Sequence, residues 1–248
     1  MGPVEPVPGE PAAVATVEGG DRALVVADYH AGIEADFRSR GVEAASRADE
    51  RLDRLRGLLD ATGPDRVVFL GDLAHWIGEP AGAELEELER LVDAVTGRVP
   101  ASLVKGNHDG AFEAALDIPV TDSAGVRLGD VGFVHGHTWP APEVLAADVV
   151  CVGHEHPAVR IEDEVGGGRV ERVWLRGDLN PGAFDREGVD PDAIAGELVV
   201  FPAFNELAGS TWVNVASQAF LAPFLPDGLA DGEAYLLDGT RLGPYRDV

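Results

Sequence analysis

Ser102-Leu103-Val104-Lys105-Gly106-Asn107-His108-Asp109 is an apolar β-like run that breaks at a glycine and then offers an amide, an imidazole and a carboxylate. Such a junction reads as the carboxyl end of a strand, where open α/β sheets bind their ligands. The junction recurs on both sides of this stretch. Ala23-Leu24-Val25-Val26-Ala27 runs into Asp28-Tyr29-His30, and Arg66-Val67-Val68-Phe69-Leu70 runs into Gly71-Asp72-Leu73-Ala74-His75. Downstream, residues 130–134 lead to His135-Gly136-His137, and residues 148–152 lead to Gly153-His154-Glu155-His156. All seven histidines of the chain fall between residues 30 and 156, nearly all directly after a hydrophobic run. Scattered structural histidines would not be distributed in this way.

The segments between these runs give the fold class. Residues 43–61 place Leu52, Leu55, Leu58 and Leu59 on one helical face and stop at Gly63-Pro64; residues 83–96 form a second amphipathic helix. Strand and helix alternating through the first half predict an α/β fold with a largely parallel sheet there. Residues 14–17 and 23–27 read as two strands joined by Glu18-Gly19-Gly20-Asp21. From about residue 117 the pattern changes to short strands at 125–128, 130–134, 148–152, 158–162, 170–175, 197–201, 211–215 and 233–238, with a loop at 181–191. These predict a mixed or antiparallel second half. Residues 1–12, rich in Pro, Gly and Glu, read as a flexible or edge-lying lead-in, and the whole 1–248 as a single domain.

Composition bounds the class further. A hydrophobic content of 45% fits a soluble globular protein, and no apolar run approaches the ~18–20 residues of a membrane helix. The N-terminus has neither a basic nor an apolar signal region, so a cytoplasmic location is expected. A lone Cys151 excludes an intramolecular disulfide and a cysteine zinc finger; inside an apolar run it reads as a small buried hydrophobe. The net charge is −25, from 44 acids and 19 bases, and Lys105 is the single lysine. Acids spread along the chain together with lysine depletion point to a surface adapted to high salt. Molar salt screens such fields within ~3 Å, so the charge does not exclude a nucleic-acid substrate.

The strand ends carry the chemistry. Carboxylates and imidazoles with an amide oxygen and no thiolate suit first-row divalent ions such as Mn, Fe, Co, Ni or Zn. In D-x-H and H-x-H pairs, strand alternation turns both members to one face. Nine or ten such donors are too many for one tetrahedral zinc and suit two ions sharing a carboxylate. Two ions at ~3.5–4 Å can hold a hydroxide and clamp a phosphoryl oxygen.

In this order the series D-x-H, G-D-x-x-[DH], G-N-H-[DE], H-G-H and G-H-x-H resembles the calcineurin-like metallophosphoesterase superfamily, over residues 28–156. Asp28-Tyr29-His30-Ala31-Gly32-Ile33-Glu34 and the stretch Phe201-Pro-Ala-Phe-Asn-Glu-Leu-Ala-Gly209 are similar to its ICC-like branch, which includes predicted endonucleases associated with DNA repair ligases and helicases. The resemblance implies a four-layer α/β/β/α sandwich of two mixed sheets. It implies two divalent ions, manganese foremost, one held by Asp28, His30 and His156 and the other by Asn107, His135 and His154, with Asp72 between them. It implies further that a hydroxide bridging the ions attacks phosphorus while His108 assists the leaving group, and that Asp109 orients His108 by a hydrogen bond. His135 is preferred to His137 as ligand because it lies nearer the strand end; His137 then lines the pocket. His75 stands where many members carry a second carboxylate, and Arg38 and Arg40 are candidate phosphate contacts.

The implied activity is phosphodiester hydrolysis, with nucleic acid as the favoured substrate and phosphomonoesters or cyclic nucleotides as alternatives. A metal-bearing scaffold that binds a DNA repair helicase or ligase is the non-enzymatic alternative; the complete set of site residues argues against it. Glu155, between two ligands, reads as structural. Trp139, Trp174 and Trp212 read as core ahead of base-stacking residues, as does the aromatic stretch 201–225 ahead of a dimer face.

Overall fold

Residues 23–26 and 67–70 are continuous apolar runs because each is covered on both faces. In a computed structural model that describes residues 2–110, 116–162, 167–186 and 188–248, Leu24, Val26, Val67 and Phe69 point into one core, while Ala23, Val25, Val68 and Leu70 point into another. The first sheet contains, side by side, β1 (Val4–Pro6), β2 (Ala12–Thr16), β3 (Arg22–Val26), β4 (Arg66–Phe69), β5 (Ala101–Val104) and β6 (Val120–Thr121). From β3 to β6 every pairing is parallel; β1–β2 and β2–β3 are antiparallel. Helices α2 (Ala48–Thr62) and α3 (Gly82–Thr96) cover its outer face through Leu52, Leu55, Leu59, Leu88 and Leu91, and α1 (Ile33–Ser39) lies against α3. A fully buried side chain of this kind stabilises the fold by about 1.5–3 kcal/mol relative to exposure.

The second sheet is mixed. It contains β7 (Val126–Leu128), β8 (Val131–Val134), β9 (Val149–Val152), β10 (Pro157–Glu162), β11 (Gly168–Leu179), β12 (Glu197–Val200), β13 (Thr211–Trp212), β14 (Leu229–Leu236) and β15 (Arg241–Pro244). Its order is β13-β10-β11-β12-β9-β8-β7, with β14 and β15 added alongside β11. Val131, Phe133, Val149, Cys151, Trp174, Val199 and Phe201 face the first sheet across the inter-sheet core. Cys151 is fully buried there and burial drives its thiol pKa up, so it serves as a small apolar side chain. The outer face of this sheet is covered by the short helix α4 (Pro142–Leu145), 3-10 turns and the chain around Phe224 rather than by long helices.

The α/β sandwich of two mixed sheets is thus the architecture expected. Of the two readings of the lead-in, residues 4–6 take the edge-lying one: they form the edge strand β1, with Val4 opposite Ala15 and its side chain buried. The expected helix 43–61 begins only at Ala48, because α1 ends at Ser39 and Gly41 (φ 84°) turns the chain into a loop. Phe201, Phe204, Phe224 and Leu225 are core, and Trp174 is buried against Phe201. The topology leaves the carboxyl ends of β3, β4 and β5 facing those of β8 and β9. The N–H of His154 donates to the Asp28 carboxylate at 3.1 Å, and His135 Nδ1 lies 3.0 Å from the Leu70 carbonyl, so the two sheets are tied together at that edge.

Candidate metal centre

Backbone strain marks the site before any side chain is considered. Among the described residues six non-glycines have φ in the left-handed region, and five of them are Asp28 (55°), His30 (47°), Asp72 (46°), His154 (68°) and His156 (45°); Asp231 is the sixth. Each such conformation costs on the order of 1–3 kcal/mol and persists only where the surroundings impose it. Here they turn side chains from five loop positions toward one region. Glycines allow the loops to close: a Cβ on Gly106 would lie 2.2 Å from Asp72 Oδ1, and one on Gly71 (φ 79°) 2.1 Å from His135 Nδ1.

Two triads meet there. Asp28, His30 and His156 can each offer one ligand atom within 4.8 Å of the others, and so can Asp72, His135 and His154. Asp72 stands between them. Its Oδ1 is 3.4 Å from His135 Nε2, while its Oδ2 is 4.0 Å from His30 Nε2 and 3.8 Å from His108 Nε2. His156 Nε2 lies 3.2 Å from Asp28 Oδ1 and 3.4 Å from His30 Nε2. Asn107 Oδ1 is 3.2 Å from His135 Nε2, which brings the amide oxygen to the second triad. His137 lies at its rim, its ring 5.3 Å from that of His135 and 6.1 Å from that of His154. His75, with His30 and His108, makes a third group of donors.

The tautomers are set from outside the cluster. A carbonyl can only accept, so His135 Nδ1 donates to Leu70, His156 Nδ1 to Gly209 at 2.7 Å, and His108 Nδ1 to His75. With Nδ1 committed outward, each ring turns its Nε2 inward, and that is the nitrogen a metal-binding imidazole offers once it is free of a proton. Asp28 and Asp72 are buried and their ion-pair partners are histidines. Burial alone would raise both carboxyl pKa values, but the imidazoles beside them, His156 and His135 foremost, hold them low. Burial would likewise lower His135, yet Asp72 and Asp28 push it up to about 9. Burial takes His30 down to about 3 and His154 to about 4. Two buried carboxylates beside imidazoles, with no lysine or arginine among their ion-pair partners, inward-facing imidazole nitrogens and an unpartnered His30 Nδ1 form a donor set that suits divalent cations.

This electrostatic state fixes a pH dependence. At neutral pH His30 and His154 are already neutral, whereas His135 carries a proton that a metal ion must displace. Affinity for a divalent ion should therefore rise with pH up to about 9, by about tenfold per unit for each proton released. Calorimetry at pH 7 in buffers of different ionisation enthalpy should show net proton release on Mn²⁺ binding; none would contradict the assignment of His135 as a charged group in the metal-free site.

Asp109 departs from its expected role. Its carboxylate accepts from the N–H groups of Asp72 (2.8 Å), Leu73 (3.0 Å), Ala74 (3.4 Å) and Gly106 (2.9 Å), stapling the loop after β4 to the loop after β5. Backbone donors leaving a sheet edge need acceptors, and this buried carboxylate meets that need. Burial and the charge of Asp72 raise it to about 6. Orientation of His108 comes from the His75 carbonyl instead. Arg40 is paired with Asp36 at 2.8 Å, Arg38 donates to the Ala44 carbonyl at 2.8 Å, and Asp36 Oδ2 lies 3.4 Å from His75 Nε2. Glu155 is buried and accepts from Leu221 and Ala222, a structural part as read from strand alternation. Trp139 packs on Phe184 and Phe224 beneath Arg186, and Trp212 has Arg160 over its ring.

Sequence reasoning missed the supports behind the metal-facing loops. Asn205 Nδ2 donates to the carbonyls of Tyr29 (3.0 Å) and His30 (3.1 Å), holding the Asp28-Tyr29-His30 turn from the far end of the chain. Arg51 is buried between Glu34 and Glu87, and Glu87 also accepts the Gly32 N–H at 3.0 Å. Glu84 receives the N–H groups of His75 and Trp76, both at 2.8 Å. The Glu84/Glu87 spacing on the leucine face of α3 was the one available signal.

Comparison with known proteins agrees with this geometry. The calcineurin-like phosphoesterase superfamily domain matches residues 22–195. The SbcD component of the nuclease SbcCD from Bacillus subtilis (strain 168) is 30% identical over 142 residues, covering 54% of this chain and 34% of that protein; the chain thus spans about a third of that relative. Pseudomonas putida nuclease MPE aligns with a TM-score of 0.57 at 22% identity, covering 96% of this chain and 100% of that one. Yfce, a phosphoesterase from E. coli, aligns with a TM-score of 0.36 at 22% identity over 57% of this chain and 73% of that one. With the domain matched over residues 22–195 and aspartate and histidine triads at its strand ends, the chain belongs to the calcineurin-like phosphoesterase superfamily.

Proposed function

We propose that the protein is a dinuclear-metal phosphodiesterase whose substrate is nucleic acid. The observation that carries this reading is the position of Asp72, one carboxylate oxygen toward His135 and the other toward His30 and His108. Asp28, His30 and His156 would hold one ion, and Asn107, His135 and His154 the other, with Asp72 shared. Manganese is the ion of first choice for this oxygen- and imidazole-rich set. When bound, two such ions supply Lewis acidity toward a phosphoryl oxygen and lower the pKa of a coordinated water.

The chain's own residues do the remaining work. The strained loops fix the ligand side chains before substrate arrives, so little reorganisation remains at the moment of reaction. His108, oriented by the His75 carbonyl, presents Nε2 to the same centre and in its cationic form donates from that atom to the departing oxygen. The nuclease descriptions of the Bacillus and Pseudomonas relatives support a nucleic-acid substrate. A DNA repair helicase or ligase is the partner class that the ICC-like sequence resemblance implies.

The test is hydrolysis after metal stripping and Mn²⁺ re-addition in high salt, the condition toward which the acidic composition points. The panel holds bis-p-nitrophenyl phosphate, p-nitrophenyl phosphate, 2′,3′-cyclic AMP, and single- and double-stranded oligonucleotides. Mn²⁺-dependent cleavage of diesters, with oligonucleotides preferred, is the expected result. Monoester preference, or turnover confined to the cyclic nucleotide, would overturn it.

A further inference from the structure

We propose that Trp76, with Ile77 beside it, is the stacking face for the nucleobase that adjoins the scissile phosphodiester. The inference rests on the nucleic-acid reading above and adds the element that grips the substrate. Five large hydrophobic side chains are exposed among the described residues: Val42, Trp76, Ile77, Val170 and Leu221. Trp76 (46% exposed) and Ile77 (73%) are adjacent and follow His75 directly. The Trp76 ring lies 6.4 Å from that of His75, which is itself 5.4 Å from the His30 ring and 5.9 Å from the His108 ring. The indole thus stands one side chain beyond the cluster, where the base attached to a phosphate seated there would fall.

Its exposure is imposed rather than loose. The Trp76 N–H and the His75 N–H both donate to Glu84 Oε1, and Glu84 is itself buried at the start of α3. Ala31 and Ala74 are bridged just before, and the His75 N–H also reaches the Ala31 carbonyl at 3.1 Å. A backbone tied at three points presents an aromatic ring to solvent at little further ordering cost when a ligand covers it. A flat base is a matching occupant. Stacking on an aromatic tolerates any sequence, and its loss on alanine substitution weakens binding about 5- to 150-fold per base.

Charge favours this mode of grip over a cationic clamp. The chain carries −25 overall; Arg40, whose charge reaches His75, is paired with Asp36, and Arg38 donates to the Ala44 carbonyl. The cavity beside His156 is lined by the carboxylate residue Glu155 and by the neutral hydrogen-bonding groups of Ser210, Thr211, Ser217 and Gln218, with no lysine or arginine among its lining residues. Walls of this kind take bases and sugars more readily than they take isolated phosphates.

The experiment compares wild type, W76A and W76F on a single-stranded oligonucleotide and on bis-p-nitrophenyl phosphate. An abasic site is then moved along the oligonucleotide. W76A should raise the oligonucleotide KM about 10- to 100-fold, more than any change on the small diester, and W76F should recover most of the loss. In wild type one abasic position next to the cut should give a similar loss, and that position should become silent in W76A, as two perturbations of one contact must. Oligonucleotide cleavage indifferent to W76A, or an abasic effect undiminished in W76A, would overturn the proposal alone. Hydrolysis of the small diester with no oligonucleotide cleavage by wild type would overturn the nucleic-acid reading and this proposal with it.

Discussion

Asp72→Asn should reduce diester turnover on the order of 10³-fold or more and release at least one of the two ions. The substitution is close to isosteric, and the remaining oxygen can still accept the His108 N–H, now 3.0 Å from Oδ1, so the loops after β4 and β5 should keep their contact. What is lost is charge. In the metal-free protein Asp72 is the foremost charge holding His135 at about 9, so the same variant should move the His135 titration downward, read by NMR without any metal present. Metal content by mass spectrometry, turnover and the His135 titration then report separately on one carboxylate. Retention of both ions with wild-type turnover would remove Asp72 from the shared position.

The parts of this site that are legible in sequence are those whose chemistry is unusual for their setting. Histidine after an apolar run is uncommon enough that five such runs point to one centre, and their sequence order carried the fold with it. The supports were hidden because nothing distinguishes them locally. Asp109 sits beside His108 in sequence, and proximity suggests a bond to the ring; its partners are instead backbone N–H groups, that of Gly106 and those of a loop 35 to 37 residues away. Asn205 touches the Tyr29 carbonyl across 176 residues. Glu34, Glu84 and Glu87 are three among 44 acids in a chain whose acidity reads as a solvated surface, yet each is buried and bonded to Arg51 or to the backbone behind the metal-facing loops. Burial is a property of the assembled fold, and in so acidic a chain composition masks it. Trp76 has no local mark in the sequence either: aromatics in loops are usually core, and only its exposure in the folded chain sets it apart.

His108→Ala should separate proton donation from charge stabilisation. With Nδ1 committed to the His75 carbonyl, any proton His108 gives to substrate must leave from Nε2, the nitrogen 3.8 Å from Asp72 Oδ2. A general acid matters most when the leaving oxygen is strongly basic, as a nucleoside alkoxide is, and little when it departs as p-nitrophenolate. The variant should therefore lose about 10²–10⁴-fold in kcat on an oligonucleotide and far less on bis-p-nitrophenyl phosphate, while metal content stays at the wild-type level. An equal loss on both substrates would assign His108 to stabilising charge on the phosphoryl oxygens. An unchanged rate on both would take it out of the reaction altogether. The discrimination depends on the leaving group alone, so it holds whichever divalent ion occupies the site.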